Sequence, residues 1–525
     1  MQAAQTLIAL LAVVSAIAAL SGRIKVPYPI LLVIGGLALG FLPFAPGTRL
    51  DPDLVLLLFL PPLLYADAFH TSWVDFRRWL RPIALLSTGL VAATTVAVGF
   101  VAKQLAPELP WSVALLLGAV VSPTDTVAAQ AILERIRMPR RFTAILGGES
   151  LVNDATGLVG FQVAVAVTLS GVFDAASVGL TFAWVSFAGV GVGLAVGWLA
   201  ARLNRVVRDT QALFSLSLLA PYVAYVTCLQ VNASGVLAVV VAGFFVSWRI
   251  HEIPADARVQ LYTVWELAVF IINGFCFVLI GLEAPRLRDG LEPYDTGFLI
   301  AFGAAVSLAV VVARIVWVYP GAYLPRLLSK AIREREPRPR LREVFVVGWC
   351  GMRGVVSLAA ALSIPVLLPS GAPFPGRALV VFGCVCVIAT TLVLQGLTLE
   401  PLIRALGIRT DALSDEEERA ARLELVRAAL RHIEELKARS TCPAAQVAGA
   451  ESALRARLAT LEGQAELRSQ LRDDAALAHE RNAQLNLLDV QRRALLELRS
   501  NGVINDLTQL KLQAELDLDE LKLTR

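Results

Sequence analysis

Two carboxylic side chains lie deep inside long apolar stretches of the chain, where an ionisable group is costly and usually functional. Asp125 follows Pro123 and Thr124, and Asp154 follows Asn153 in the next stretch. At a rise of about 1.5 Å per residue from the nearest arginines, both carboxylates lie roughly 18 to 20 Å inside their segments. A carboxylate at that depth can hold either a proton or a dehydrated cation.

The residues around Asp125 predict a break in the helix that carries it. Pro123 removes a backbone donor and clashes with the preceding turn. The freed carbonyl groups, together with Thr124 and Asp125, would then face a cation. The alternative interpretation is a proline kink with a satisfied aspartate.

The stretch that contains Asp154 has one polar face. At about 100° per residue, four polar side chains fall within an arc of about 140° on an otherwise apolar helix. They are Glu149, Ser150, Asn153 and Asp154. At membrane depth this pattern favours a functional site over a structural network.

Two arginines also lie within apolar stretches. Gly351 and Gly354 flank Arg353 closely, and glycines at this density predict a second helix break, with Arg353 among the exposed backbone ends. Arg314 is a lone cation that needs an anionic partner, and Glu149 is the best candidate because pairing compensates two buried charges. The alternative for Arg314 is extension to the cytoplasmic edge of the membrane.

Composition places the chain among integral membrane proteins. Of its 525 residues, 56% are hydrophobic and 17% are charged, and the mean hydropathy is +0.66. The net charge of +4 is too small to indicate a nucleic-acid partner. No cysteine or histidine cluster has metal-ligand spacing, so we expect no cofactor beyond transported ions.

Thirteen apolar segments predict an all-α membrane protein with about 13 transmembrane helices. They cover residues 3–20, 28–43, 53–68, 83–102, 111–133, 142–170, 178–200, 211–230, 232–248, 262–283, 296–320, 343–366 and 379–398. An odd count is compatible with two inverted six-helix repeats joined by one helix, as in other secondary transporters. The breaks at Pro123 and near Arg353 would then be counterparts.

Basic residues alternate between the loops and predict the orientation. One set of loops holds 21 Lys and Arg residues, whereas the other set holds Arg49, Lys103, Arg286, Arg288 and Arg377. By the positive-inside rule the richer set is cytoplasmic. The N-terminus is then outside, the C-terminal tail is cytoplasmic, and we expect a multi-pass protein of the plasma (inner) membrane.

The composition changes near residue 411, so we predict a transmembrane domain over residues 1–410 and a helical cytoplasmic tail over residues 411–525. Apolar residues recur at helical spacing through the tail, and Pro443 is expected to break its first helix. The tail could regulate transport or assist dimerisation. The alternative is a solvated appendage with neither role.

Four motifs resemble the first cation:proton antiporter family, which includes bacterial and archaeal sodium/proton antiporters and animal sodium/proton exchangers. They are Leu60-Pro61-Pro62-Leu63-Leu64 and the strings at 122–128, 147–157 and 351–358, in the expected order. The resemblance covers about residues 5–405. It implies the inverted-repeat fold with two crossing broken helices, exchange of a monovalent cation for protons, and a homodimer in the lipid bilayer.

The resemblance also implies roles for individual residues. Asp154 would bind the cation or the proton, with Asp125, Thr124, Ser150 and Asn153 completing the site. Na⁺ would be held by Asp154, Thr124 and Ser150. Glu149 and Arg314 match the buried ion pair of the family, and Arg353 and Asp125 match the charges that compensate half-helix dipoles.

One position departs from the family pattern. Related prokaryotic members often carry an acidic residue four positions after the second proline of the third helix, but this chain has Ala66 there and Asp67 next to it. A one-residue step rotates a side chain by about 100° on a helix. The sequence leaves open whether Asp67 substitutes.

The hypothesis from the sequence is electroneutral exchange of Na⁺ for H⁺, one for one, by alternating access. Asn153 supports it, because an amide cannot bind a proton at accessible pH and Asp154 is left to alternate between ligands. A cation channel and a K⁺-selective antiporter are alternatives, and Li⁺ could replace Na⁺. An intramembrane aspartyl protease would need a Gly-x-Gly-Asp type motif, which the sequence lacks.

Overall fold

The fold is helical in a computed structural model of the chain. The structure describes residues 2–24, 28–40, 52–125, 127–136, 138–171, 175–207, 209–253, 255–283, 290–335, 338–408, 412–438, 451–452 and 454–462. Within these ranges the backbone forms helices, connecting loops and one isolated β-bridge between Leu367 and Pro373. The chain forms two compact units, Met1–Asp411 and Ala412–Arg525.

The first unit contains nineteen of the described α-helices. In chain order they are α1 (Gln2–Ile24), α2 (Tyr28–Gly40), α3 (Pro52–His70), α4 (Trp73–Arg78), α5 (Leu80–Ala84), α6 (Val91–Leu105), α7 (Trp111–Val121), α8 (Val127–Arg135), α9 (Arg140–Ser170), α10 (Ala175–Val206), α11 (Thr210–Gln230), α12 (Gly235–Trp248), α13 (Ala255–Glu283), α14 (Thr296–Leu328), α15 (Lys330–Arg335), α16 (Leu341–Trp349), α17 (Val355–Leu362), α18 (Arg377–Thr390) and α19 (Gly396–Ala405). Wider π-helical turns at Leu85–Leu90 and Thr391–Gln395 join α5 to α6 and α18 to α19.

Seven helical stretches of the described residues are long and apolar enough to cross a membrane. They are Leu80–Leu105, Arg141–Ser170, Gly179–Val206, Thr210–Gln230, Ala257–Leu282, Thr296–Leu328 and Arg377–Ala405. Shorter apolar helices lie between them, including Tyr28–Gly40 and Gly235–Trp248. Each of the thirteen apolar segments coincides with one helix or with a run of shorter helices. The chain is an all-helical, multi-span membrane protein.

The fifth and the twelfth apolar segments are both interrupted, as Pro123 and the glycines near Arg353 led us to expect. α7 ends at Val121 and α8 begins at Val127. α16 ends at Trp349 and α17 begins at Val355. The two interruptions meet, because the backbone N–H of Asp125 donates to the carbonyl oxygen of Met352 over 2.8 Å.

Apolar packing holds these helices around the interruptions. One large cluster of buried side chains combines α7, α13, α14, α17 and α18, with Phe302, Val346 and Leu392 among its fully buried members. A second cluster joins α3 to α11, α12 and α13 around Trp265. The helices of these two clusters therefore keep a buried stripe against their neighbours, and their remaining apolar face is available to lipid.

The second unit contains α20 (Ala412–Ala438), and residues 451–452 and 454–462 are also helical. Ion pairs connect the two parts, from Lys437 to Glu451 and from Arg427 to Glu462 at 3.0 Å. The expected helix break at Pro443 and the last part of the tail lie outside the described residues. The role of the tail stays a prediction.

Close packing of α2 against α13 gives a test of the fold. A Cβ atom at Gly281 would overlap backbone atoms of Val33 and Leu37. We expect Gly281→Val to lower the thermal stability of the purified protein, because overpacking of this kind costs about 1 to 3 kcal/mol. The measurement is the melting temperature in detergent, taken as loss of the monodisperse peak after heating.

The matched control is Gly191→Val in α10, where an added Cβ atom meets no atom within 4 Å. Both changes place valine in a helix, so they share the same difference in helix propensity. Equal melting temperatures for the two variants would contradict the close approach of α2 and α13.

Candidate cation site

A polar cavity lies where the two interruptions meet, between α3, α9, α13 and α17. Its empty volume is about 460 Å³. Three carboxylates line it, those of Asp67, Asp125 and Asp154. Thr124 and Ser150 also line it, and the rest of the wall is mainly apolar. No basic side chain is among the described residues that line this cavity, so its charge favours a cation.

The Asp125 carboxylate lies at the N-terminal ends of two half-helices. Its Oδ1 accepts a hydrogen bond from the backbone N–H of Val127, the first residue of α8, over 2.9 Å. The backbone N–H of Val355, the first residue of α17, also donates to this carboxylate. Helix N-termini carry partial positive charge, so Asp125 is bound by both interrupted helices at once.

Arg353 binds the C-terminal ends of the other two half-helices, α7 and α16. It is fully buried, and its Nε donates to the carbonyl oxygen of Val121, the last residue of α7, over 2.8 Å. Its Nη1 donates to the carbonyl oxygen of Gly351, just after α16. Arg353 thus compensates the negative ends of α7 and α16, as Asp125 compensates the positive ends of α8 and α17.

Glycines allow the charged groups to approach the backbone this closely. A Cβ atom at Gly354 would overlap the Asp125 carboxylate, and one at Gly351 would overlap the Arg314 side chain. Glycine is therefore required at both positions for steric reasons, because a side chain at either one would displace a buried charged group.

Arg314 pairs with Glu149 and does not extend to the membrane edge. Both side chains are fully buried. The guanidinium binds both carboxylate oxygens, through Nη1 to Oε1 and through Nη2 to Oε2 over 2.9 Å. The Arg314 Nη2 and Nε also donate to the carbonyl oxygen of Val347 over 3.1 and 3.3 Å. Such two-point pairing fixes the orientation of both groups.

The ion pair orients the polar face of α9 through Thr124. The Thr124 hydroxyl donates to Glu149 Oε1 over 3.1 Å and accepts from Asn153 Nδ2 over 2.6 Å. A reversed Asn153 amide would set two acceptors against each other, because the only hydroxyl hydrogen of Thr124 already points to Glu149. The buried Oδ1 of Asn153 has no hydrogen-bond partner in the structure. Ser150 donates to the backbone oxygen of Thr124 over 3.0 Å.

The structure thus divides the predicted site residues into two layers. Asp154, Asp125, Thr124 and Ser150 line the cavity. Behind this wall lie Asn153, Glu149, Arg314 and Arg353, each no more than 1% exposed. What each residue does during transport stays a proposal.

Asp67 lies on the cavity wall. The preceding residue, Ala66, is 1% exposed and packs in the apolar cluster of α3, α11, α12 and α13. The position where related proteins carry an acid therefore faces packed side chains, whereas the next position faces the cavity with Asp125 and Asp154.

Two further polar residues on the wall carried a weak signal or none in the sequence. They are Asn273 of α13, in the tenth apolar segment, and Ser357 of α17, in the twelfth. The buried Asn273 Nδ2 and Ser357 Oγ have no hydrogen-bond partner in the structure. Glu266, another acidic residue of α13, is exposed and does not line the cavity.

Comparison with known proteins shows the relatives of the chain. The family model "Sodium/hydrogen exchanger, transmembrane" matches residues 8–405. An uncharacterized Na⁺/H⁺ exchanger of Mycobacterium tuberculosis is 35% identical over 98% of this chain and 95% of its own length. A sodium, potassium, lithium and rubidium/H⁺ antiporter of Bacillus pumilus is 31% identical over 78% of this chain and 62% of its own length.

A solved structure shows the same fold. The sodium proton antiporter MjNhaP1 of Methanocaldococcus jannaschii superposes with a TM-score of 0.61, covering 77% of this chain and 99% of that chain at 21% sequence identity. This similarity concerns the arrangement of the helices and carries no statement about ligands.

The Glu149–Arg314 pair is testable by a double-mutant cycle. Glu149→Gln or Arg314→Gln alone should destabilise the protein by roughly 3 to 5 kcal/mol, because each leaves an uncompensated buried charge. The double change should recover part of that loss. The measurement is the melting temperature of all four forms in detergent.

An exposed ion pair provides the control cycle. Arg205 binds Glu252 at 2.5 Å, with 41% of the arginine side chain exposed, and an exposed pair contributes about 0.2 to 1 kcal/mol. The coupling for Glu149 and Arg314 should be clearly larger. Strictly additive losses at Glu149 and Arg314 would contradict the buried pair.

Proposed function

Because this chain belongs to the sodium/hydrogen exchanger family of membrane transporters, we propose that it exchanges Na⁺ for H⁺ across the membrane with Asp154 binding either ion. The observation that carries the proposal is the position of Asp154 on a cavity at the meeting point of two interrupted helices. Its neighbours on that wall, Asp125 and Ser150, supply further oxygen atoms. Hard oxygen ligands suit a small alkali cation.

Competition for one carboxylate is the simplest coupling. Na⁺ binds to Asp154, to the Ser150 hydroxyl and to the remaining lone pair of the Thr124 hydroxyl, and a proton replaces it at Asp154. Only the two loaded forms reorient, because moving a bare buried charge is costly. The two ion gradients then determine the direction of transport.

The charges around the site support electroneutral exchange, one cation for one proton. Asp125 and Arg353 are each held by two helix ends, and Glu149 is held by Arg314. These four groups keep their charges through the cycle and sum to zero. Asp154 alternates between ligands of equal charge, and one-for-one exchange requires that Asp67 keep one protonation state throughout.

The positions of the interruptions support two inverted six-helix repeats within thirteen spans. The interrupted segments are the fifth and the twelfth, which occupy the same place in residues 3–170 and 211–398 when the seventh segment, residues 178–200, is the link. We propose a multi-pass protein of the plasma membrane with its N-terminus outside and the tail of residues 411–525 in the cytoplasm. Homodimerisation is part of the same proposal.

Transport of cations other than Na⁺ is a specific alternative within this proposal. The Bacillus pumilus relative is named for transport of sodium, potassium, lithium and rubidium. We therefore propose that Li⁺ and K⁺ be compared with Na⁺ in the same assay, since carboxylate, hydroxyl and amide oxygens accept all three ions.

Substitution of Asp154 tests the site. Asp154→Asn keeps the shape of the side chain but removes the group that trades a proton for a cation. We expect cation-driven proton flux in proteoliposomes to fall to the level of empty liposomes. The control is Asp75→Asn in α4, a carboxylate outside the cavity, which should leave the flux unchanged. Retained flux in Asp154→Asn would remove Asp154 from the mechanism.

Membrane voltage tests the stoichiometry. With potential clamped by K⁺ and valinomycin, exchange of Na⁺ for H⁺ should be the same at both signs of voltage. A moved elementary charge would be worth about 2.3 kcal/mol at 100 mV, enough to change Na⁺ accumulation clearly. Uptake that follows the imposed voltage would overturn electroneutrality, and loss of that voltage dependence in Asp67→Asn would identify the second titrating carboxylate. Na⁺ flux without proton movement would indicate a channel.

A further inference from the structure

A second cavity lies away from the three carboxylates, between α5, α9, α14 and α16. Its empty volume is about 790 Å³. Its charged lining residues all lie near helix ends. Arg81 is the second residue of α5, Arg141 is the second residue of α9, Glu343 lies in the first turn of α16, and Arg326 lies in the last turn of α14. One end of the cavity is therefore a charged rim.

Basic residues outnumber acidic ones among the described residues of the rim. Three arginines and one glutamate are among the described lining residues. Arg141 binds Glu343 at 2.6 Å, and Glu343 also accepts from the backbone N–H of Arg340 over 2.9 Å. Arg326 is only 7% exposed, with Nη1 donating to the carbonyl oxygen of Ala322. The N-termini of α9 and α16 add partial positive charge at the same end.

The rest of the cavity is apolar. Leu86, Ile145, Val318 and Val344 line its inner part. Along α14, Val318 is eight residues before Arg326, or about 12 Å at the helical rise. A cationic rim followed by roughly one nanometre of apolar wall matches an amphiphile with an anionic head and hydrocarbon tail.

We propose that this cavity binds an anionic phospholipid of the surrounding bilayer, with its phosphate at the rim and part of an acyl chain along the apolar wall. The rim lies at helix ends, where the headgroups of a bilayer lie, so a lipid reaches it without leaving its leaflet. Guanidinium groups recognise phosphate oxygens through paired hydrogen bonds. The apolar wall distinguishes a lipid from a free phosphate ester.

The occupied cavity would contact the ion pair of the transport site through one residue. Val347 lines its inner part, and the Val347 carbonyl oxygen accepts both hydrogen bonds from Arg314 to the backbone. This connection makes the cavity wall part of the support for Arg314.

Native mass spectrometry of the full chain in detergent tests the proposal independently of transport. The probes are phosphatidylglycerol, phosphatidylcholine and glycerol 1-phosphate. We expect one retained phosphatidylglycerol per chain and a higher melting temperature with that lipid only. Arg326→Gln should weaken retention about tenfold, the effect of losing one charge-assisted hydrogen bond. The matched control is Arg333→Gln, an exposed arginine of α15 outside the cavity, which should leave retention unchanged.

A second variant covers the case in which Arg326→Gln does not fold. Ala322→Phe fills the apolar part of the cavity without changing its charge, and should also reduce retention of phosphatidylglycerol. Equal retention of phosphatidylcholine would overturn the proposal. So would binding of glycerol 1-phosphate as tight as that of the lipid, or unchanged lipid retention in the folded variants.

Discussion

Two interrupted helices can exist at membrane depth only if the protein itself satisfies the backbone groups that each interruption releases. Lipid offers no hydrogen bonds, so every freed N–H and C=O must find a partner inside the chain. Here the partners are charged and polar side chains from the opposite interruption or from α9. Arg353 donates to the Val121 carbonyl oxygen, Asp125 accepts from the Val355 N–H, and Ser150 donates to the Thr124 carbonyl oxygen. The groups that hold the fold together are thus the groups around the candidate site.

The buried ion pair also sets the direction of the hydrogen bonds behind the cavity wall. Arg314 binds both oxygens of Glu149, Glu149 receives the Thr124 hydroxyl hydrogen, and that hydroxyl accepts from Asn153. Each hydrogen bond in this chain leaves the next group with a single possible role, as donor or as acceptor. A buried ion pair that contributes little net stability can in this manner specify the orientation of an otherwise ambiguous amide. The ion pair behind the cavity wall thereby determines how the Asn153 amide is oriented.

The sequence predicts the parts of this arrangement that follow from local chemistry. Apolar runs locate the helices, Pro123 and the glycines around Arg353 locate the interruptions, and the scarcity of buried charges leaves Glu149 as the partner of Arg314. It does not predict which side of α3 faces the cavity, because that depends on packing against α11 and α12. A serine such as Ser357 in an apolar run has many structural uses, so its type and spacing carry no signal. The sequence does not predict the cavity beside Arg326 either, because four segments that are far apart in the chain form it.

The three carboxylates of the candidate cation site differ in what surrounds them, and that difference is the physical basis for proposing Asp154 as the group that exchanges ligands. Asp125 is bound by the first N–H groups of α8 and α17, so protonating it would remove charge from two helix ends at once. Asp154 projects from the middle of continuous α9 and has no helix end to compensate. Its charge must therefore be balanced by whatever enters the cavity. Asp67 also projects from a continuous helix, α3, and lies on the same cavity wall. A cation between Asp67 and Asp154 would be attracted by both carboxylates, whereas a proton can neutralise only one. With Asp154 as the proposed exchanging group, this asymmetry would let Asp67 affect ion preference.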